Sequence, residues 1–170
     1  DEMKPLLEAF GMSDWAGFAA SWQRLGVDRY MADGGRYRRR RYATFSLTQD
    51  AIIRKRHQPH YQSRDYNALN GGVERWFEPV EREIGAHPVM HAALALIRRL
   101  ATDLIPLQLR PDVWHAEVQQ FRIEAQEAHE GRPTPEGLHR DGVDWVLVMM
   151  IRRENVVSGD PTIHDLMGRE

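Results

Sequence analysis

The 170-residue sequence contains no cysteine. That excludes a disulfide framework and any thiolate metal site, so a metal held here must be bound by imidazole, carboxylate and water, and the composition suits a reducing cytoplasm. Long hydrophobic runs are also missing. Nothing approaches the roughly 20 apolar residues of a membrane span, and the acidic start DEMKPLLEAFGMSDW has neither the basic residues nor the apolar block of a signal peptide. A soluble, cytoplasmic protein with no membrane partner is expected. No charge of one sign dominates: 23 Lys plus Arg stand against 25 Asp plus Glu, and a net charge of -2 gives no global field for collecting nucleic acid. Internal repeats are absent as well. The length fits a single domain over 1–170, helical to about residue 105 and β-rich from about 110.

What is present is periodicity. Leu6, Leu7, Phe10, Trp15, Phe18, Trp22 and Leu25 fall mostly at three- and four-residue steps, which predicts one or two short helices broken near Gly11. From Tyr37 to Leu47 the pattern changes to period two and predicts a strand. HQPHYQSRDYNALNGGV, residues 57–73, is dense in turn formers and reads as a loop; Gln62, Tyr66 and Asn67 there are candidates for the mouth of a site. Met90, Leu94, Ile97, Ala101 and Leu104 form one stripe behind Pro88, which predicts a helix over 88–104 that Pro106 stops. Residues 113–123 (VWHAEVQQFRI) read as a strand. After the polar loop EAHEGRPTPEG comes WVLVMMI, 145–151, expected to be a strand covered on both faces, with a buried helix as the alternative that periodicity leaves open. Met149 and Met150 are expected in the core, and Thr162 to Asp165 begins a possible further strand. Helices first and strands later indicate an α+β arrangement or a helix-flanked sandwich rather than βαβ alternation.

His139 and Asp141 stand between that polar loop and the apolar run. Residues two apart on extended backbone point the same way, so an imidazole and a carboxylate there can converge on one ion. Such donors suit Fe(II), and two histidines with one carboxylate on an octahedral face leave three positions open for reactants. His-x-Asp alone is a weak signal, and a solvated loop pair is its plain alternative. A Pro/Gly loop before and a covered strand after are the context of the mouth of a small β-barrel or jelly roll.

PTPEGLHRDGVDWVLVMMIRRENVVSGDPTIHD resembles the iron-binding segment of the 2-oxoglutarate/Fe(II)-dependent dioxygenases that hydroxylate free L-amino acids, the isoleucine dioxygenase type. DGGRYRRRRYATF, QPHYQSRDYNALNGGVERWFEP and VQQFRIEA are similar to stretches of that family in the same order, so the likeness runs from about Tyr30 to the end. The resemblance implies a double-stranded β-helix (jelly roll, cupin-like) with N-terminal flanking helices, Fe(II) on His139 and Asp141, and 2-oxoglutarate and O2 as cosubstrates. Oxidative decarboxylation to succinate would be coupled to hydroxylation of an aliphatic carbon. The family pattern also needs a distal histidine and then a basic residue for the 2-oxoglutarate carboxylate. Residues 142–170 leave room for about two strands. His164 lies too close behind the apolar run to match the distal histidine and is expected to be an exposed strand residue, so the third ligand and the closing strands are expected to be missing from this chain.

Gln120 and Arg122 share one face of the 113–123 strand and would meet a substrate or cosubstrate if that face lines the barrel; the opposite face is the equal alternative. The arginines at 38 to 41 divide two and two between strand faces, which favours a solvated edge or an interface with acidic helices over a nucleic-acid surface. His57, His60, His87, His91, His115 and His129 show no spacing that assembles a second site, and Asp144 is expected to face away from Asp141. The expected function is a dioxygenase acting on a small substrate, a free aliphatic L-amino acid. The alternatives are a non-catalytic jelly-roll ligand- or metal-binding protein linked to stress or biofilm physiology, and a nucleic-acid binder that uses the arginine run.

Overall fold

A computed structural model describes residues 3–31, 33–65, 71–125, 131, 139, 141–157, 162–165 and 167. The first helical pattern forms helices α1 (Met3–Ala9) and α2 (Trp15–Ala20), followed by a 3-10 turn over Ser21–Arg24. Gly11 separates the helices in the left-handed region, φ 86°, which costs glycine little. Asp14 caps α2: its Oδ1 accepts the Gly17 N–H at 3.0 Å. Short helix α3 (Arg82–Gly85) precedes α4 (Pro88–Asp103), where Pro88 needs no donor and His87 Nδ1 accepts the Val89 N–H. The buried face of α4 is broader than the predicted stripe and includes Val89, Ala92 and Leu96, while Leu104 at its end is exposed.

Among the described residues four strands form one antiparallel sheet: β1 (Gly26–Val27), β2 (Arg38–Leu47), β3 (Ile52–Arg54) and β4 (Trp114–Ile123). β2 is central. One edge pairs with β4 along its whole length, from Arg38 opposite Ile123 to Leu47 opposite Trp114. The other edge takes β1 at one end, β3 at the other, and a bridge from Tyr42 to Pro79 between them. The architecture is therefore mixed α+β, and its helical and β-rich stretches interlock, because β2 precedes α4 in sequence while its partner β4 follows it.

Period two gives the sheet unlike faces. Ala43, Phe45 and Leu47 pack with Phe18, Val80, Ile84, Val89, Met90 and Leu94, and Trp114, Ala116 and Val118 of β4 lean on the same cluster. The opposite face carries Arg38, Arg40, Tyr42 and Thr44, opposite Ile123, Phe121, Gln119 and Glu117. His60, Arg75 and Phe77 lie against it. His60 and Arg75 bridge as antiparallel neighbours, and the His60 and Phe77 rings lie 5.5 and 6.3 Å from that of Tyr42.

The apolar run 145–151 departs from expectation. It is neither helix nor ladder-paired strand. Leu147, Met149 and Ile151 pack on the helix-side core, whereas Val148 and Met150 are 76% and 56% exposed. Only one face is covered among the described residues, so Met150 is not the core residue expected. A hydrophobic run reports a demand for burial and says nothing about which neighbours meet it. Thr162 to Asp165 likewise forms no strand. Among the described residues no helix is long and apolar enough to cross a membrane.

Candidate functional site

His139 and Asp141 meet. The imidazole Nε2 lies 3.6 Å from the Asp141 Oδ1, and both side chains are partly open to solvent. The one-residue spacing directs both to one side, as on a strand, although the local backbone is irregular. Two ligands at right angles on an ion with bonds of about 2.1 Å stand ~3 Å apart, so a small closure of this gap would seat one ion between them. The donor set of one nitrogen and one carboxylate oxygen fits Fe(II). No group of three His, Cys, Asp or Glu residues sized for a metal occurs among the described residues. His164 does not join the pair; its Nε2 lies 2.8 Å from Thr162 Oγ1, and it is half-buried in an irregular segment rather than exposed on a strand.

Downstream of the pair, Asp144 and Trp145 line an open recess of about 530 Å³ with Ile105, Leu109, Pro111 and Trp114. The Trp114 indole is held there by donating from Nε1 to Thr102 Oγ1 at 3.1 Å. Its walls are mostly apolar, with Asp144 as the one carboxylate among the described residues.

Gln120 and Arg122 lie on the helix-covered face, away from the polar one. Gln120 is 1% exposed and donates from Nε2 to Ser21 Oγ at 3.0 Å, while Arg122 donates to Trp22 O and Gln23 Oε1 and pairs with Glu124. Both tie β4 to the N-terminal helical turn, so of the two faces left open by the sequence they occupy the helix-covered one. Their β4 neighbours Gln119 and Glu117 occupy the polar face instead. Tyr66, Asn67 and His129 lie outside the described residues, and Gln62 contributes a backbone carbonyl that accepts the Gly72 N–H.

On the polar face, residues far apart in sequence form two clusters that spacing does not reveal. At one end Glu117 joins two imidazoles: Oε2 is 2.9 Å from His60 Nδ1, Oε1 is 3.6 Å from His115 Nε2, and His115 Nδ1 lies 2.6 Å from Lys55 Nζ. Burial by itself would raise the Glu117 carboxyl, but the hydrogen bond and charge of His60, with the charge of His115, hold it below its usual value. Tyr42 is wholly buried beside it, and burial first, then the Glu117 charge, push its hydroxyl well up.

At the other end Arg38 and Arg40 are buried beside Asp28, correcting the expectation of a solvated edge. The alternate residues pair with carboxylates that lie outside the helices, unlike the interface with acidic helices expected: Arg39 pairs with Glu124 at 2.8 Å, and Arg41 approaches Glu78 and Glu81 at 3.4 and 3.6 Å. Among the described residues the arginine run is thus taken up within the fold.

The chain matches the family profile described as 2OG-Fe dioxygenase over residues 19–170. It is similar to the crystal structure of a bsmA homolog from Methylobium petroleophilum PM1, with 40% identity and a TM-score of 0.70 over 81% of this chain and 56% of that one. It also resembles the crystal structure of IDO from Bacillus thuringiensis in fold, with a TM-score of 0.59 over 83% of this chain and 63% of that one at 17% identity. The chain thus spans a little over half the length of these solved relatives. No curated protein sequence matches it.

Proposed function

From the premise that this chain belongs to the 2OG-Fe dioxygenase family, we propose that it is the part of an Fe(II)- and 2-oxoglutarate-dependent dioxygenase that carries two of the iron ligands, His139 and Asp141. The observation that carries the reading is their convergence to 3.6 Å inside the matched span. When bound, Fe(II) supplies redox chemistry toward O2 coupled to decarboxylation of 2-oxoglutarate to succinate. The chain's own contribution is geometric. The imidazole offers a nitrogen lone pair, the carboxylate offers a compensating charge, and two adjacent positions filled by protein leave room for reactants. The four-stranded sheet would be the first part of a double-stranded β-helix, and the reaction would take place in a reducing cytoplasm.

The substrate in this reading is a small molecule, a free aliphatic L-amino acid. The test supplies the protein with Fe(II), ascorbate and 2-oxoglutarate and measures succinate with and without a panel of amino acids, following a gain of one oxygen by mass spectrometry. Stimulation by an aliphatic member is the expected result. Succinate release that no amino acid stimulates would retain the dioxygenase and reject the substrate class; absence of iron-dependent turnover would reject both.

A further inference from the structure

The acidic partner of the buried arginine cluster is already engaged. Asp28 Oδ1 accepts the Tyr30 N–H at 2.9 Å, and Oδ2 accepts from Arg38 Nε at 2.7 Å. Arg40 Nη1 only shares that second oxygen, at 3.5 Å, and Arg40 Nε is buried with no hydrogen-bond partner. A guanidinium is a planar fork of five donors that is most stable against a planar carboxylate, and leaving one of its buried donors unsatisfied is costly. Burial, followed by the Arg38 charge, pushes the Arg40 pKa down to about 9, against the pull of Asp28; it remains a cation at neutral pH.

The surroundings are aromatic. Arg40 Cζ lies 3.9 Å from the Phe77 ring centroid and 4.5 Å from that of Phe121, so two rings stand within cation–π reach of the guanidinium. Phe77 is buried, whereas Phe121 is 41% exposed. Polarity of this kind on a water-poor face strengthens attraction to an incoming anion.

We propose that Arg40, between Phe77 and Phe121, receives the carboxylate of a small organic acid. The carboxylate would complete the guanidinium fork that Asp28 leaves open, and the rings would flank the carbon chain behind it. That chemistry has two sources under the reading above, on which only the identity of the source rests: the α-carboxylate of an amino-acid substrate, or a carboxylate of 2-oxoglutarate. Binding at Arg40 does not require turnover.

The test is anaerobic calorimetric titration of the protein with 2-oxoglutarate, L-leucine, leucinamide and inorganic phosphate, for the wild type, Arg40→Lys and Arg40→Met, each checked for a cooperative thermal transition. The wild type is expected to bind a carboxylate probe, with phosphate and the amide about tenfold weaker or worse. Arg40→Lys, which keeps charge but loses the fork, should weaken that probe about tenfold and leave the other carboxylate unchanged. Loss for leucine alone assigns the substrate, and loss for 2-oxoglutarate alone assigns the cosubstrate; both support the site. Unchanged binding of every probe by both folded variants, an amide as tight as its acid, or no carboxylate binding to the wild type overturns it. Should both variants fail to fold, Phe121→Glu places a tethered carboxylate beside Arg40. It should weaken the probe about tenfold more than Phe121→Gln, which loses the ring without adding a charge, and equal affinities for the two overturn the proposal. Arg40-dependent binding without iron-dependent turnover would leave this site standing while the dioxygenase reading falls.

Discussion

The β2–β4 pair and the 139–151 segment carry similar sequence signals and meet different fates. Both alternate or crowd apolar residues in sequence, yet β2 is hydrogen-bonded on both edges while 145–151 has no ladder partner among the described residues. One is a completed unit: an apolar face against α4 and a polar face filled by Arg38, Arg40, Tyr42 and Thr44. The other has its Leu147, Met149 and Ile151 side satisfied and its Val148 and Met150 side bare. The lesson is that the approach of His139 to Asp141 is set by local chain direction, with little help from the sheet, whereas the polar face depends on contacts between residues distant in sequence.

That contrast can be broken at several points. The largest effect is expected on chemistry: His139→Ala should lower iron-dependent succinate release by about 100-fold or more, given that even outer-sphere substitutions cost 10- to 100-fold. Because His139 is partly exposed on irregular backbone, its melting temperature should stay within about 2 °C of wild type. Next come the sheet residues. Phe45→Ala, removing a ring that is wholly buried between β2 and α4, should cost about 3–5 kcal/mol in denaturant unfolding. Asp28→Ala should cost a comparable ~3–5 kcal/mol, since it leaves Arg38 and Arg40 buried without their shared carboxylate. On the other side of the comparison, Val148→Ala should change stability by less than about 0.5 kcal/mol. If Val148→Ala proved as damaging as Phe45→Ala, the bare face of 145–151 would be covered in the protein and the two regions would be alike.

The smallest effect is a pH dependence. The Glu117 carboxyl is held below its unfolded value, so its contribution is present above that value, about 4.5, and is lost as pH falls through the lower folded one. Wild type should therefore lose stability on acidification below about pH 4.5 more steeply than Glu117→Gln, as read from melting temperatures across pH 3 to 7. Parallel curves would detach Glu117 from His60.

The sequence made local features legible. β2, β4 and α4 follow from period-two and period-3.6 patterns, and His139 with Asp141 follows from a spacing whose geometric consequence is local. Non-local features were hidden for a physical reason: nothing in spacing reveals that His60 meets Glu117 or that Gln120 meets Ser21 across 57 and 99 positions. The face that Gln120 and Arg122 occupy stayed open for the same cause. Gln119 and Gln120 are chemically identical neighbours, and only the helical turn at Ser21–Arg24 decides that Gln120 and Arg122 are structural ties. The arginine run was divided correctly between faces, but burial of Arg38 and Arg40 required Asp28, ten residues before Arg38, to be folded against it. The run 145–151 is covered on one side only among the described residues, because hydrophobicity demands burial without supplying the neighbours.

Joint iron coordination by His139 and Asp141 is tested most directly by anaerobic Fe(II) titration of the wild type, His139→Ala and Asp141→Ala, with X-ray absorption at the iron edge to count nitrogen and oxygen ligands. One Fe(II) per chain is expected, with affinity reduced by about 100-fold or more in either variant and one imidazole lost from the coordination shell in His139→Ala. Equal affinity and an unchanged shell in both variants would contradict the account.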